Sequence, residues 1–224
     1  MKSSKKIILF SSAFFISLTF LMLISNIFRF INPVLNPITV WAIYSFTFFF
    51  FIWCYSFLRH NTLKRSLAGK TVYATANLST FTFREKSWLY LFPILIYFLP
   101  SMMNRSIKYI SLSMIVMFVF TMVILELFIR LSQNSMKIYF TNEGILINGI
   151  DLRLPVPRIY GSVFHNDSGF HEYSEFKEYF PLPNQVDIYR PYDLGAIHVL
   201  TSGDSAKQIQ GILSKNKLKI KKFK

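Results

Sequence analysis

The chain has 224 residues, a formal net charge of +14 and a hydrophobic content of 52%, with 25 phenylalanines and one cysteine. Its charged fraction of 16% lies below the roughly 25% of soluble domains, which argues against a freely soluble protein. The single cysteine, Cys54, excludes an intramolecular disulfide and a metal site built on cysteines.

The charge is unevenly placed. Residues 1–130 carry 13 Lys/Arg against 2 acids, residues 131–212 carry 6 against 9, and residues 213–224 carry 6 against none. Basic residues flank apolar stretches and fill the C-terminal tail, with an acidic region between them. That pattern fits an anionic inner leaflet, so a lipid bilayer is the expected partner and nucleic acid is not.

Four apolar stretches occupy residues 7–28, 38–58, 88–103 and 109–129. A helix needs about 20 apolar residues to cross a hydrocarbon core about 30 Å thick. Three stretches reach that length. The third is short and holds Pro93 and Pro100, each lacking a backbone donor. Four transmembrane helices are expected; a re-entrant third stretch is the alternative, and it would invert everything downstream. The first stretch follows Lys2, Lys5 and Lys6 but is too long for a secretory apolar region. Its exit, Leu23-Ile24-Ser25-Asn26, lacks a small residue at the required offset, so it reads as an uncleaved anchor. Cys54 reads as a small apolar helix residue.

Orientation follows from Lys/Arg in the short connections. Three N-terminal lysines with Arg59, Lys64, Arg65, Lys70, Arg84 and Lys86 make nine on one side, against Arg29, Arg105 and Lys108 on the other. The expected protein is multi-pass in the cell membrane, with both termini and the middle loop cytoplasmic. Trp41, Tyr44, Trp53, Tyr55, Trp88, Tyr90 and Tyr109 fall near span ends, where amphipathic rings prefer to sit. The one charged residue inside a stretch is Glu126, four residues before Arg130. It reads as an interfacial ion pair with a snorkelling arginine, not a proton relay. Ala68-Gly69-Lys70-Thr71 resembles the end of a phosphate-binding loop, but Lys64 stands where the motif needs glycine. No membrane-enzyme signature is present. The expectation is a protein that is not an enzyme, without catalytic residues, metal or cofactor.

From Met136 the texture changes. Residues 137–140 and 145–147 read as strands around Thr141-Asn142-Glu143-Gly144. Asn148-Gly149 then reads as a tight hairpin turn into a strand at 150–154. Pro155 and Pro157 break the pairing, and 158–165 reads as a further strand. Residues 196–201 form another, and Ser202-Gly203-Asp204 turns into a helix over 205–214 with Asp204 as its N-cap. Ile209, Ile212 and Leu213 make one apolar face of that helix.

This order of strand, Thr-Asn-Glu-Gly, strand, Asn-Gly, strand, closed by Thr-Ser-Gly-Asp and a last helix, resembles bacterial membrane proteins with a pleckstrin-homology-like (PH-like) domain, the YcxB-like group. The resemblance covers roughly residues 136–214. It implies a curved antiparallel β domain ending in an α-helix and used for binding. The expected organisation is an α-helical membrane domain of four transmembrane helices at 1–131, a small cytoplasmic PH-like β domain at 132–214, and a basic tail at 215–224.

Metal-capable side chains cluster at His165, Asp167, His171, Glu172, Glu175 and Glu178. A helix from Phe170 would put His171, Glu175 and Glu178 on one face, where a divalent cation is conceivable. A solvated acidic loop is the preferred reading. In the tail, Lys215, Lys217, Lys219, Lys221, Lys222 and Lys224 alternate with Leu218, Ile220 and Phe223. Those lysines are expected to contact the membrane surface, at about 1 kcal/mol each near an anionic leaflet; a solubilising tail is the alternative. Together these features imply a non-catalytic membrane protein that binds an unknown protein or peptide partner. Protection against a membrane-active peptide, as in bacteriocin immunity, is its most specific form. The alternatives are a membrane subunit of a transport or export complex, and an inner-leaflet enzyme using His165 or His171.

Overall fold

The computed structural model describes residues 3–31, 37–81, 83–103, 110–153, 168–191 and 196–221. Four helices, α1 (Ser3–Ile31), α2 (Pro37–Leu67), α3 (Phe83–Met103) and α4 (Leu112–Ser135), carry the apolar stretches. Three of them, over Lys5–Phe30, Ile38–Leu67 and Leu112–Ser135, are long and apolar enough to cross a membrane. The third helix is not: its apolar part, Leu89–Leu99, spans only about 16 Å at 1.5 Å per residue. The expected count of four spans is thus met by three on length and composition.

The first helix is apolar around its whole circumference and buries little of it, leaving Ile7, Phe15, Met22 and Ile27 exposed. A helix of that kind is compatible with a membrane span. It packs on α2 through aromatic rings, with Phe20 stacked on Phe50 at 4.1 Å and Phe10 edge-on to Phe51 at 5.4 Å. Hydroxyl groups tie α2, α3 and α4 together: Tyr97 Oη lies 2.9 Å from Thr121 Oγ1, which donates to Ser45 Oγ at 3.0 Å. Ser45, Tyr97 and Thr121 are all buried, so these contacts hold the three helices to one another.

The remaining elements form one sheet and one helix. In chain order they are β1 (Val72–Leu78), β2 (Lys137–Thr141), β3 (Gly144–Asn148), β4 (Gly169–Glu172), β5 (Glu178–Leu182), β6 (Gln185–Tyr189), β7 (Ala196–Leu200), α5 (Asp204–Lys215) and β8 (Lys219–Ile220). The eight strands run in the order β4-β3-β2-β1-β7-β6-β5-β8. Every neighbouring pair is antiparallel except β5 with β8, which is parallel, so the sheet is mixed. Ile209 and Leu213 of α5 are buried on it. A continuous core joins Tyr55, Leu125 and Ile129 of the bundle to Ile138, Ile147, Ile188 and Val199 of the sheet.

Several expected details differ. The central strand β1 comes from the connection between α2 and α3, and the edge strand β8 comes from the basic tail. The sheet therefore reaches outside residues 132–214 at both ends. Asn148-Gly149 makes no hairpin; a Cβ on Gly149 would lie 2.6 Å from Ser135 O and 2.7 Å from Met136 Cα. Glycine is needed there for close approach to the end of α4, and residues 150–153 are not a strand. The strand expected at 158–165 lies outside the described residues. Asp204 is the first helical residue, and the N-cap is Gly203. No side chain caps it; Ser205 Oγ instead reaches back past the cap, donating to Ser202 O at 2.7 Å and accepting from Ser202 N at 3.0 Å.

The pairing of β1 with β2 has a topological consequence. The strands are joined only through α3 and α4, yet five residue pairs from Val72↔Thr141 to Asn77↔Lys137 lie side by side. The segment from α3 to α4 therefore begins and ends on the same side of the bundle, beside the sheet.

Residues 136–221 alone lack the central strand and should show no cooperative thermal unfolding by circular dichroism. Joining residues 70–78 to 136–221 through a tight turn, which the Asn77↔Lys137 pair permits, should restore it.

Candidate functional site

Where helices meet sheet, a carboxylate is buried between two guanidinium groups. Arg59 on α2, Asp151 and Arg153 are 2%, 1% and 4% exposed. Arg153 binds Asp151 in a fork, Nε to Oδ1 at 2.8 Å and Nη2 to Oδ2 at 3.0 Å. Arg59 Nη1 lies 3.3 Å from Asp151 Oδ2, while its Nη2 donates to Ser168 O at 2.9 Å. Ser56 Oγ donates to Asp151 O at 2.9 Å. The guanidinium of Arg153 also lies over the Phe81 ring at 4.3 Å. From α4, Ser132 Oγ donates to Ile150 O at 2.6 Å, and Ser135 Oγ accepts from Ile150 N at 2.9 Å. The irregular segment after β3 is thus clamped between α2 and α4. These buried pairs join the segment after β3 to α2 and α4.

An open polar cleft of about 410 Å³ lies between β1, β2, the end of β7 and the start of α5. It forms because β1 and β7 pair only at Asn77↔Leu200 and Leu78↔Val199, then part. Gln208 Nε2 bridges the gap further on by donating to Tyr73 O at 2.8 Å. Thr75, Asn77, Lys137, Thr201, Ser202 and Ser205 supply the polar wall. Only Lys137 among the lining residues is charged, and no carboxylate, imidazole or thiol lines the space. Such a wall offers hydroxyl, amide and ammonium donors to a ligand. Thr201 is 8% exposed, and its Oγ1 is buried without a hydrogen-bond partner among the described residues. No sequence motif pointed to this cleft; it exists only where the two strands diverge.

The residues singled out from the sequence are differently disposed. His171 is on β4 and Glu175 in a 3-10 turn, so the expected helix from Phe170 is not formed. Strand pairing with β3 wins there: a Cβ on Gly144 would lie 2.2 Å from His171 O. His171 Nδ1 sits 2.7 Å from Arg190 Nη2 and 3.3 Å from Glu175 Oε2. Glu178 is elsewhere, 4.0 Å from Lys221. No group of three metal-capable side chains forms among the described residues, and His165 and Asp167 lie outside them. The bond with His171, then its charge, the Glu172 N–H and Arg190, hold the Glu175 carboxyl below its ordinary 4.5. Burial pushes the Tyr173 hydroxyl up to about 12, which keeps it a donor to Thr141 O at 3.0 Å.

A cross-strand pair went unread in the sequence. Asp187 and His198 are register partners on β6 and β7, with His198 Nδ1 2.7 Å from Asp187 Oδ1. Their alternation within two strands was the only available signal. Glu126 does pair with Arg130, at 3.5 Å, and also accepts from Tyr90 Oη at 2.6 Å. Lys70 closes the turn after α2 on Glu143 at 2.7 Å and lies over the Phe170 ring at 3.4 Å, so the resemblance to a phosphate-binding loop has no counterpart.

In the tail, Lys215 ends α5 and Lys217 takes the left-handed position after it, at φ 64°. Leu218 N donates to Leu213 O at 3.1 Å, which completes the helix stop. Lys219 is in β8, and Lys221 N donates to Tyr179 O at 2.8 Å while its Nζ lies 3.8 Å from the centre of the Tyr189 ring. Lys222 and Lys224 lie outside the described residues. No protein family, curated protein or solved structure matches the chain.

Asp151→Ala leaves two arginines buried without their counter-ion, and should cost about 3–5 kcal/mol, read as lost folded yield in detergent by size-exclusion chromatography. The Glu175 carboxyl is lowered on folding, so the stability it contributes is complete above the ordinary carboxylate value and lost as pH falls through the lowered one. Glu175→Gln should flatten that acid limb, measured as the unfolding midpoint from about pH 5 to pH 3.

Proposed function

We propose that the chain is a multi-pass protein of the bacterial cell membrane that presents a PH-like binding domain in the cytoplasm and acts by binding, not catalysis. The supporting observation is the open cleft, whose lining offers hydroxyl, amide and ammonium donors, on a sheet tightly joined to the bundle. Two antiparallel meanders, β1 to β4 and β5 to β7, meet through β1 and β7 and carry α5. That arrangement agrees with the curved, helix-capped sheet that the family resemblance implies. The nine-to-three distribution of Lys/Arg favours the sheet side as cytoplasmic. A fourth crossing by α3, tilted little, returns the chain to the partner strand of β1. The tail from Lys215 to Lys224 adds positive charge beside an anionic leaflet.

The specific role proposed is protection against a membrane-active peptide. A small anchored domain near the leaflet is placed to occupy or sequester such a peptide's docking surface. The test is expression of the full chain in a sensitive bacterial host challenged with a panel of membrane-active peptides. Survival should rise for one peptide class and not for the others. Equal killing with and without the protein, at verified membrane abundance, would remove immunity from the reading.

A further inference from the structure

We infer that the groove between α1, α2 and α4 holds one acyl chain of an anionic lipid, drawn from the leaflet remote from the sheet. The inference rests on the membrane-spanning part of the reading above and is independent of the peptide role.

Helices α1 and α4 both pack on α2. Between them a cavity of about 560 Å³ runs along the first turns of α2. Ile24 and Phe28 of α1 form one wall, Met117 and Ile124 of α4 the other, and the small side chains of Ala42 and Ser45 leave the floor low. No charged residue lines the space. Its buried hydroxyls are satisfied within the bundle: Thr121 Oγ1 donates to Met117 O at 2.7 Å or to Ser45 Oγ at 3.0 Å, and Ser45 Oγ also meets Tyr97 Oη. The groove therefore offers packing to methylenes and little to a polar ligand.

Dimensions choose the occupant. From Ile38 to Phe49, the limits of the lining on α2, the helix rises about 16 Å. Spread over that length, the cavity volume leaves a mean section of about 34 Å². A helix with its side chains is about 10–12 Å across and needs at least about 80 Å², so a partner's helix does not fit. A single hydrocarbon chain, whose carbons pack at about 3.5–4.0 Å, does. Its length fits as well: half of a hydrocarbon core about 30 Å thick is about 15 Å, the reach of one chain in one leaflet. Left empty, the groove would forfeit dispersion contacts along both walls.

Position and charge identify the source. The groove lies at the start of α2, in the first half of α4 and at the end of α1, whereas the sheet joins the opposite ends through β1 after α2 and β2 after α4. Leu23, Ile27, Val116 and Val119, beside the lining residues on α1 and α4, are exposed. The groove is thus continuous with the apolar surface that the spans turn to the bilayer. Arg29 follows Phe28 in the last turn of α1, and no Asp or Glu precedes Glu85 in the chain. The headgroup of a chain seated here meets a cation and no carboxylate from the first two helices, which favours an anionic lipid.

The experiment uses the full chain, purified in neutral detergent and stripped of lipid, then titrated with chain-brominated phosphatidylglycerol or phosphatidylcholine. Trp53→Phe and Trp88→Phe leave Trp41, the neighbour of Ala42, as the sole indole, and its quenching reports the chain. Native mass spectrometry counts the lipid retained. Saturable quenching with a single lipid per protein is expected, with phosphatidylglycerol preferred about fivefold, as for one basic residue beside an anionic headgroup. Ala42→Phe fills the groove, and Ala42→Leu is the milder filling should that variant not fold. A filling variant with the native elution volume should lose both the retained lipid and the saturable quenching, while its lipid-free unfolding midpoint stays equal or rises. Arg29→Gln should level the two headgroups. Quenching that never saturates, or lipid retained undiminished by a folded filling variant, overturns the inference. A headgroup preference absent from the native chain, or unchanged in Arg29→Gln, overturns the anionic assignment. A chain that stays dissolved without detergent defeats the membrane reading itself, whereas a detergent-dependent chain that keeps no lipid defeats this inference alone.

Discussion

Asp151, held between Arg153 and Arg59, fixes how the sheet stands on the helices. The carboxylate belongs to the segment after β3, one guanidinium to the same segment and the other to α2. Neither arginine could remain so deep without it, and it could not remain without them. Around this ion cluster, Ser56, Ser132 and Ser135 satisfy the backbone of 150–153 from two helices. Every one of these bonds spans two elements. Sheet and bundle are consequently one packed body across this joint, and the helices dictate where the cleft beside α5 is held.

The second constraint is connectivity. A sheet whose middle strand precedes two helices and whose other strands follow them cannot be cut from the membrane part at one position. Placing β1 between β2 and β7 also creates the cleft, because the strand pairs over its length with one neighbour and only at Asn77 and Leu78 with the other. The same arrangement brings Lys137 to the helix end. Site and topology share one cause.

Much of the architecture was legible in the residues. Hydropathy marked the long helices, and Ile138, Phe140, Ile145 and Ile147 announced β2 and β3 by alternation around a Thr-Asn-Glu-Gly turn. The spacing of Ile209 and Leu213 announced α5. Each of these signals is local. What escaped was long-range. Val72-Tyr73-Ala74-Thr75-Ala76 alternates as a strand should, but its pairing partners lie more than sixty residues downstream, and its basic surroundings suggested a loop. Gly149 looked like turn chemistry, yet it is glycine because Ser135 and Met136 pass too close for a side chain. His171 and Glu175 do meet, through a strand and a tight turn instead of a helix. Thr201 and Asn77 carried no signal, since an orphan hydroxyl becomes visible only when its surroundings are closed.

The place of β1 in the sheet also sets the order of biogenesis. The ribosome releases this strand first, then the helices α3 and α4, and only afterwards the neighbours that will cover its edges. Until α4 is seated, Val72–Leu78 waits with its hydrogen bonds unmade, a hazard for a strand with such composition. Completion of the sheet thus becomes a readout of α3 and α4 having folded back on α2. A chain stalled at α3 would advertise its failure to the cell's proteases through that naked edge.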